Sequence, residues 1–358
     1  SAGCVLANRL TADGKTRVLL LEAGGDDRPM HNPSQFLSNV MIHVPVGYSQ
    51  TLKDPKVNWL YQTEPDPGSG GRQHAWPRGK VLGGSSSINA MLYIRGQRED
   101  YDGWRQLGCE GWSYDDVKPY FLRSQHQERG ADDWNATGGP LNVSDMRDGH
   151  PVSDAVIDAC VQAGLPRIED LNAAQQEGAT WFQVTMKNGR RWSAAVAYLH
   201  PVLKRSNLVV ETGSLATRVL FREKRAVGVE FTQNGMRRTA TANAEVILAG
   251  GAVNSPQLLQ LSGVGPAALL QEHGIPVVAD VPGVGENLQD HYVVGLRYRL
   301  KKGVLSVNEM SKGRRLVGEA LKYAFFRRGL LTLSAAHIAA FVKSRPDLST
   351  PDIQFHIL

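Results

Sequence analysis

The chain has 358 residues, which is more than one hydrophobic core usually serves, so we expect two domains. Its net charge of +5 is small for this length, and lysines and arginines are not interleaved with aromatic residues, which argues against a nucleic-acid-binding protein. No apolar run reaches the roughly 20 residues that cross a bilayer, so the sequence predicts no transmembrane segment. Because Ser1 opens directly into helical sequence, we expect the natural N-terminus to lie upstream.

The first predicted unit is a helix followed by a strand. Residues 1–12 have helical composition, and Asp13-Gly14 predict a turn. The run 17–21 is almost entirely apolar, which is typical of a buried parallel strand. The stretch that follows, to about residue 77, is long and rich in Pro, Gly and Asn, so we expect more than a plain linker there.

The rest of the chain mixes helical and alternating patterns. In chain order we predict short helices within 104–123, a helix at 152–163, a strand at 180–186, a helix at 193–200, strands at 207–212, 217–222 and 226–232, a buried strand at 245–248, a helix near 255–261, a strand after His291, a basic amphipathic helix near 314–328, and strands near 338–343 and 352–357. The three strands between 207 and 232 indicate an antiparallel excursion from a parallel sheet.

The three cysteines, Cys4, Cys109 and Cys160, are widely spaced and form no pair typical of a zinc site, so the sequence predicts no metal site. Their pattern indicates a reducing compartment. We therefore expect a cytoplasmic protein, and leave open a peripheral attachment to the inner membrane.

Two residues of the first unit have the spacing of a dinucleotide site. Glu22 ends the predicted strand nineteen positions after Gly3. In dinucleotide-binding folds a glycine lets the helix approach the strand, and an acid about 20 residues later binds the ribose hydroxyls. Only the end of that glycine fingerprint is present, and similar sequence occurs in many α/β proteins. Glu22 is compatible with the ribose of either FAD or NAD.

A Gly/Ser-rich segment at 79–89 gives a stronger signal. Paired glycines let a backbone approach a flat ring or a pyrophosphate, and serines and amides supply uncharged donors. The apolar residues on both sides indicate that the segment is buried, where its backbone needs polar partners. A bound cofactor could provide these partners, although an ordinary surface loop has a similar composition.

Residues 79–102 resemble the first signature of the glucose-methanol-choline (GMC) oxidoreductases, carried by Gly83-Gly84, Ser85-Ser86, Ile88-Asn89, Tyr93 and Gly96. The second signature is matched by Gly251-Ala252, Ser255-Pro256, Leu258-Leu259 and the run 262–265. The resemblance extends along the whole chain and is strongest to choline dehydrogenase-like alcohol dehydrogenases. It implies an FAD-dependent enzyme that oxidises the CH-OH group of an alcohol by hydride transfer to flavin.

The implied fold class is α/β: a Rossmann-like FAD-binding domain interleaved with an antiparallel-sheet substrate-binding domain. We expect residues 1–145 and 203–292 to form the first domain, without its first strand. Residues 146–202 and 293–358 would form the second, whose C-terminal part is missing.

The resemblance also implies which residues contact the cofactor. Ser1, Ala2 and Gly3 would lie at the FAD pyrophosphate, Glu22 at the adenosine ribose, and Val219 at the adenine through its backbone. The expected flavin contacts are Val81, Gly84, Asn89, Ala90, Met91 and Leu92. Ile88 stands where some relatives have a histidine linked to flavin, so the FAD should be bound without a covalent link.

The resemblance assigns no catalytic residue to this chain. The family's catalytic base is a histidine in a segment beyond Leu358, so we expect this chain alone to be inactive. Asp290 and His291 belong to a family motif near the cofactor, although His291 is also compatible with a structural role. The expected partners are a small-molecule alcohol and an electron acceptor, which is oxygen, a quinone or another carrier.

Two other functions remain open. One is an NAD-linked dehydrogenase, which Glu22 permits and the two signatures disfavour. The other is a flavin-binding relative without redox turnover, either lyase-like or an inactive fragment. Bound yellow chromophore would exclude the first, and anaerobic bleaching of flavin by an alcohol would exclude the second.

Overall fold

The computed structural model describes residues 1–357 as a mixture of helices and short sheets. The α-helices are α1 Ala2–Leu10, α2 Phe36–His43, α3 Tyr48–Thr51, α4 Arg98–Gln106, α5 Tyr114–Ser124, α6 Pro151–Gln162, α7 Gly251–Leu261, α8 Ala267–Glu272, α9 Val307–Met310 and α10 Gly313–Phe326. Short 3₁₀ turns lie at Pro29–His31, Pro33–Gln35, Pro45–Gly47, Pro67–Ser69, Gly84–Ser87, His200–Val202 and Leu330–Thr332.

The strands are short and belong to eight small sheets in the described chain. They are β1 Val18–Leu21, β2 Tyr61–Gln62, β3 Ala75–Trp76, β4 Leu92–Tyr93, β5 Gln125–Gln127, β6 Leu141–Val143, β7 Gly178–Trp181, β8 Gln183–Val184, β9 Met186–Lys187, β10 Arg190–Arg191, β11 Leu208–Glu211, β12 Ser214–Arg222, β13 Arg225–Gln233, β14 Met236–Thr241, β15 Val264–Gly265, β16 Ala279–Asp280, β17 Ile338–Val342 and β18 Ile353–Ile357.

The predicted N-terminal helix and parallel strand are confirmed. Strand β1 pairs in parallel with β11, with Val18 opposite Leu208 and Leu21 opposite Glu211. Helix α1 packs through Cys4 and Ala7 into an apolar cluster with residues of the π-helical turn Ala195–Leu199. This turn replaces the regular helix predicted at 193–200, and the Ser193 hydroxyl accepts a hydrogen bond from the Val196 amide at its start. The parallel pair and its helix form one wall of the site described below.

The antiparallel excursion is also confirmed. Strands β12, β13 and β14 form a three-stranded meander, with Val219 opposite Val229 and Val229 opposite Ala240. A second antiparallel sheet has the order β18-β17-β7, in which Ile338 lies opposite both Ile357 and Trp181. Helix α6 packs under that sheet through Ile157, which is fully buried.

Two of the predicted strands do not form. Residues 245–248 are not a strand, and Ile247 is 46% exposed instead of buried. The apolar run has no neighbouring strand in the described chain, so its backbone cannot join a ladder. The strand predicted after His291 is absent from the described structure for the same reason, and Tyr292 and Val293 are exposed.

No helix within residues 1–357 combines the length and apolar character needed to cross a membrane. The predicted basic helix is present as α10, and its residue Tyr323 is buried. Its opposite face is apolar and open to solvent, since Val317, Leu321 and Phe325 are each more than half exposed.

Candidate functional site

A cavity of about 1610 Å³ is lined by the start of α1, strand β1, the Gly/Ser-rich segment and residues 240–261. Of the eleven predicted cofactor residues, the wall includes Ser1, Ala2, Gly3, Glu22 and Gly84. The structure therefore brings together residues up to 83 positions apart in the sequence.

The N-terminus of α1 opens into this cavity. The first amides of an α-helix have no partner within the helix, and the helix dipole makes this end favourable for an anion. The first turn of α1 has no acidic residue. A pyrophosphate therefore fits at Ser1–Gly3.

Gly3 brings α1 close to the two segments on either side of the cavity. A Cβ atom on Gly3 would lie 3.2 Å from Leu20 Cδ1 and 3.5 Å from Ala249 Cβ. The glycine predicted to permit close packing of helix and strand therefore has that role in the structure. A larger residue would push the helix away from both segments.

The Gly/Ser-rich turn lies directly against the start of α1. Ser1 Oγ donates to the Gly83 carbonyl at 3.1 Å and accepts from the Ser86 amide at 3.3 Å. Gly83 and Gly84 have φ angles of 90° and 56°, a region that favours glycine. A Cβ atom on Gly84 would lie only 3.0 Å from the Ser1 nitrogen. Gly84 thus leaves room for the start of α1, whereas a Cβ atom on Gly83 would clash with Ser87 Oγ in the protein interior.

Glu22 is placed where its sequence position predicts, at the end of β1 and on the cavity wall. Its Oε1 accepts from the Gly24 amide at 2.8 Å, the only hydrogen bond of this carboxyl among the described residues. Burial raises the pKa of Glu22 to about 7, despite the Gly24 hydrogen bond and the charge of Lys80. A ligand that donates hydroxyl hydrogen bonds would supply the partners that the carboxylate lacks.

The other predicted contacts lie outside this wall. They are Val81, Asn89, Ala90, Met91, Leu92 and Val219. Val81 is fully buried beside Ile88 in an apolar cluster, and the Val219 amide donates to Ser262 Oγ at 2.8 Å. Leu215, Ala216 and Thr217 of the same strand line the cavity in its place.

Asn89 is exposed, and its Oδ1 accepts from the Met91 amide at 3.0 Å. Met91 has a φ of 63° and precedes β4, which pairs with β8. Asn89 is exposed, whereas Ala90 and Leu92 are half-buried, and the segment leads from the glycine turn into the β4–β8 pair.

Sequence reasoning missed an aromatic part of the wall. Trp59 and Tyr61 are stacked with ring centroids 5.7 Å apart and planes 8° from parallel. Asn254 Nδ2 donates to the Tyr61 hydroxyl at 2.7 Å, and all three residues line the cavity. The alternating Trp-Leu-Tyr at 59–61 was the only available signal, and it lay in a stretch without a clear period.

The described part of the chain places no histidine on the cavity wall. His291 is exposed, and its neighbour Asp290 accepts from Trp76 Nε1 at 2.5 Å. His356 packs on Phe182 with ring centroids 5.4 Å apart. His43 and His200 both contact the buried Asp27. None of these imidazoles is placed to remove a proton from a ligand in the cavity.

The comparisons with known proteins agree on one family. The family model described as GMC oxidoreductase matches residues 3–293. The mitochondrial choline dehydrogenase of Mus musculus is 48% identical, over 100% of this chain and 59% of the mouse protein. The alcohol dehydrogenase (acceptor) of Pseudomonas putida is 46% identical, over 100% of this chain and 64% of that protein.

A solved structure of an FAD-dependent oxidoreductase from Chaetomium thermophilum is similar in fold, with a TM-score of 0.82 at 29% identity. The match covers 95% of this chain and 60% of that one. The chain thus spans about three fifths of the length of the relatives that it matches.

Proposed function

Because the chain belongs to the GMC oxidoreductase family, we propose that the complete protein is an FAD-dependent enzyme that oxidises the CH-OH group of an alcohol. The observation that carries this proposal is the convergence of the α1 N-terminus, the paired glycines and Glu22 on one cavity. The N-terminus of α1 suits a pyrophosphate, and Glu22 suits a ribose. The paired glycines suit a flat ring that lies close to the backbone. The similarity to an alcohol dehydrogenase (acceptor) of P. putida and to the choline dehydrogenase of the mouse supports this substrate class.

Bound FAD would accept the hydride from the alcohol carbon. The chain's own residues bind and orient the cofactor: the amides of Ala2 and Gly3 hold phosphate, and Glu22 accepts from ribose hydroxyls. Gly83 and Gly84 allow the cofactor to approach the backbone. Asn89, Ala90, Met91 and Leu92 would then lie beside the flavin, where the surface continues from the glycine turn.

The flavin is held without a covalent bond in this proposal. Ile88 is buried, has no nucleophilic atom and packs with Ile42, Val57 and Val81. Cys4 is the cysteine on the cavity wall, and burial raises its pKa to about 11. Its thiol is therefore protonated at neutral pH and is a poor nucleophile.

The imidazole base that removes the hydroxyl proton is proposed to lie beyond Leu358. The relatives support this, since the chain spans only 59% of the mouse protein and 64% of the P. putida protein. Residues 1–145 and 203–292 are proposed as the FAD-binding domain, and residues 146–202 and 293–358 as part of the substrate-binding domain. The electron acceptor is oxygen, a quinone or another carrier.

We propose that the protein is cytoplasmic, and we leave open a peripheral attachment to the inner membrane. Helix α10 supports this, because Val317, Leu321 and Phe325 form an exposed apolar stripe at a spacing of four residues. Arg314 and Arg315, both exposed in its first turn, complement anionic lipid headgroups. Such helices lie in the membrane interface without crossing it.

The test of the function uses the complete protein. After purification, its cofactor is released and identified, and the flavin is exposed anaerobically to a panel of primary alcohols that includes choline. We expect released FAD and bleaching by at least one alcohol. Bound NAD with no flavin would favour the NAD-linked alternative, and FAD that no alcohol reduces would favour a relative without redox turnover.

A further inference from the structure

Arg191 is a fully buried arginine next to the Gly/Ser-rich turn. Its Nε donates to the Ile42 carbonyl at 2.8 Å, and its Nη1 donates to the Ser86 carbonyl at 3.2 Å and to Asn89 Oδ1 at 2.7 Å. Its Nη2 is buried and has no hydrogen-bond partner in the described chain. The roles proposed for the first amides of α1 and for Glu22 do not explain why an arginine side chain is buried here.

The bond to Asn89 determines which way the amide group of that residue faces. A guanidinium has only donors, so the atom of Asn89 that faces it must be the oxygen. The same oxygen also accepts from the Met91 amide at 3.0 Å. Both acceptor positions of Oδ1 are therefore used inside the protein.

The other half of the Asn89 amide is directed elsewhere. Asn89 Nδ2 carries two donors and makes no hydrogen bond to the described chain, and the residue is exposed. The residues after it are the ones that we propose beside the flavin. The flavin ring has ring-nitrogen and carbonyl acceptors, which need oriented donors.

The segment around Arg191 also fixes the turn itself. The Ala194 amide donates to Ser86 Oγ at 2.9 Å, and Ser86 Oγ donates to the Gly83 carbonyl at 2.7 Å. Arg191 and Ala194 thus hold the turn from one side, while Ser1 holds it from the cavity side. Burial lowers the pKa of Arg191 to about 9, so the side chain remains a cation at neutral pH.

We infer that Arg191 is a positioning residue for the cofactor: it orients the Asn89 amide so that Nδ2 donates a hydrogen bond to an acceptor atom of the flavin. This inference rests on the proposed FAD function and adds a residue to it. A purely structural role would instead be limited to joining α2 to the turn through the Ile42 and Ser86 carbonyls.

Arg95 provides a matched control. It is also a buried arginine without a carboxylate partner at hydrogen-bond distance, and it donates to the Trp134 carbonyl and to Gln125 Oε1, each at 2.7 Å. It does not touch the glycine turn or Asn89. Arg191→Met and Arg95→Met therefore remove similar buried groups, of which only one reaches the proposed flavin surface.

The experiment is a double-mutant cycle in the complete protein with Arg191→Met, Asn89→Leu and the double variant. The readouts are the dissociation constant of FAD and the visible spectrum of the bound flavin. We expect Arg191→Met and Asn89→Leu each to weaken FAD binding about tenfold, and the double variant to be no weaker than either single variant. Arg95→Met should leave both readouts unchanged.

Arg191→Lys keeps the test informative if Arg191→Met does not fold. A lysine ammonium can still donate to Asn89 Oδ1, so we expect most of the FAD affinity to return. If Arg191→Lys still weakens FAD binding in the wild-type background, it should have no further effect in a protein that already carries Asn89→Leu. Additive effects, or equal effects of Arg191→Met and Arg95→Met, would overturn the role of Arg191 while leaving the FAD function intact. Wild-type protein without FAD would overturn both.

Discussion

Replacing Glu22 with glutamine should change apoprotein stability and cofactor affinity in opposite directions. Burial raises the pKa of Glu22 from 4.5 to about 7. Between these two pH values the folded protein binds a proton that the unfolded chain has lost, so the free energy of unfolding falls as pH rises. The shift corresponds to about 3 kcal/mol, fully expressed above pH 7. Glutamine removes this penalty because it cannot ionise.

The same substitution should weaken FAD binding, because a neutral amide replaces a charged acceptor for the ribose hydroxyls. A hydrogen bond to a charged group contributes about 1.5–3 kcal/mol, or about tenfold to a hundredfold in affinity. The assay measures thermal unfolding of the apoprotein at pH 5 and pH 8, and FAD binding at pH 8. We expect Glu22→Gln to unfold a few degrees above wild type at pH 8 and to bind FAD more weakly.

Glu211→Gln is the matched control for this experiment. Glu211 lies opposite Leu21 at the end of the neighbouring strand, and its Oε2 accepts from Gln233 Nε2 at 2.8 Å. It does not line the cavity, so FAD affinity should not change. If Glu22→Gln leaves both the pH dependence of stability and FAD affinity at their wild-type values, Glu22 is neither strained by burial nor part of the site.

Three further predictions follow from the cofactor, the base and the helix α10. Acid precipitation of the holoenzyme should leave the flavin in the supernatant, and flavin in the pellet would identify a covalent link that Ile88 cannot make. Residues 1–358 alone should not reduce flavin with alcohols, because the loss of a catalytic base lowers the rate about a hundredfold to ten-thousandfold. If the fragment reduced flavin as fast as the complete protein, the base would lie within these residues, and His291 would be the first candidate. The double substitution Leu321→Ser and Phe325→Ser should reduce cosedimentation of the complete protein with phosphatidylglycerol vesicles. The control substitution Leu107→Ser should not reduce it, because Leu107 is 85% exposed but lies outside α10. Equal binding by all variants would exclude α10 as the attachment surface.

Local sequence patterns predicted the elements whose formation is determined mainly by the residues within them. The apolar run at 17–21 became β1, and the amphipathic pattern near 314–328 became α10. The run at 245–248 has an equally strong strand pattern but does not form one. A strand requires a neighbour for its backbone, and periodicity within a segment carries no information about that neighbour.

The same limit applies to the candidate site: residues in a local pattern could be predicted, and residues joined by long-range contacts could not. Gly3 and Glu22 were proposed from the spacing of a glycine and of an acid after a strand, and Gly84 from the resemblance of residues 79–102; all three line the cavity. Arg191 was missed because its contacts with Asn89 and Ile42 join residues about 100 or more positions apart. Such contacts are set by the packing of α2 and the glycine turn, which no local pattern describes.

The most direct test of the proposed function is anaerobic reduction of the bound flavin by an alcohol, measured by stopped flow on the complete protein. The same alcohol is then used with deuterium on the carbon that bears the hydroxyl group. Since hydride leaves that carbon, we expect loss of the flavin's visible absorbance and a slower rate with the deuterated substrate. Flavin that stays oxidised with every alcohol, in a folded protein that retains FAD, would contradict alcohol oxidation by this protein.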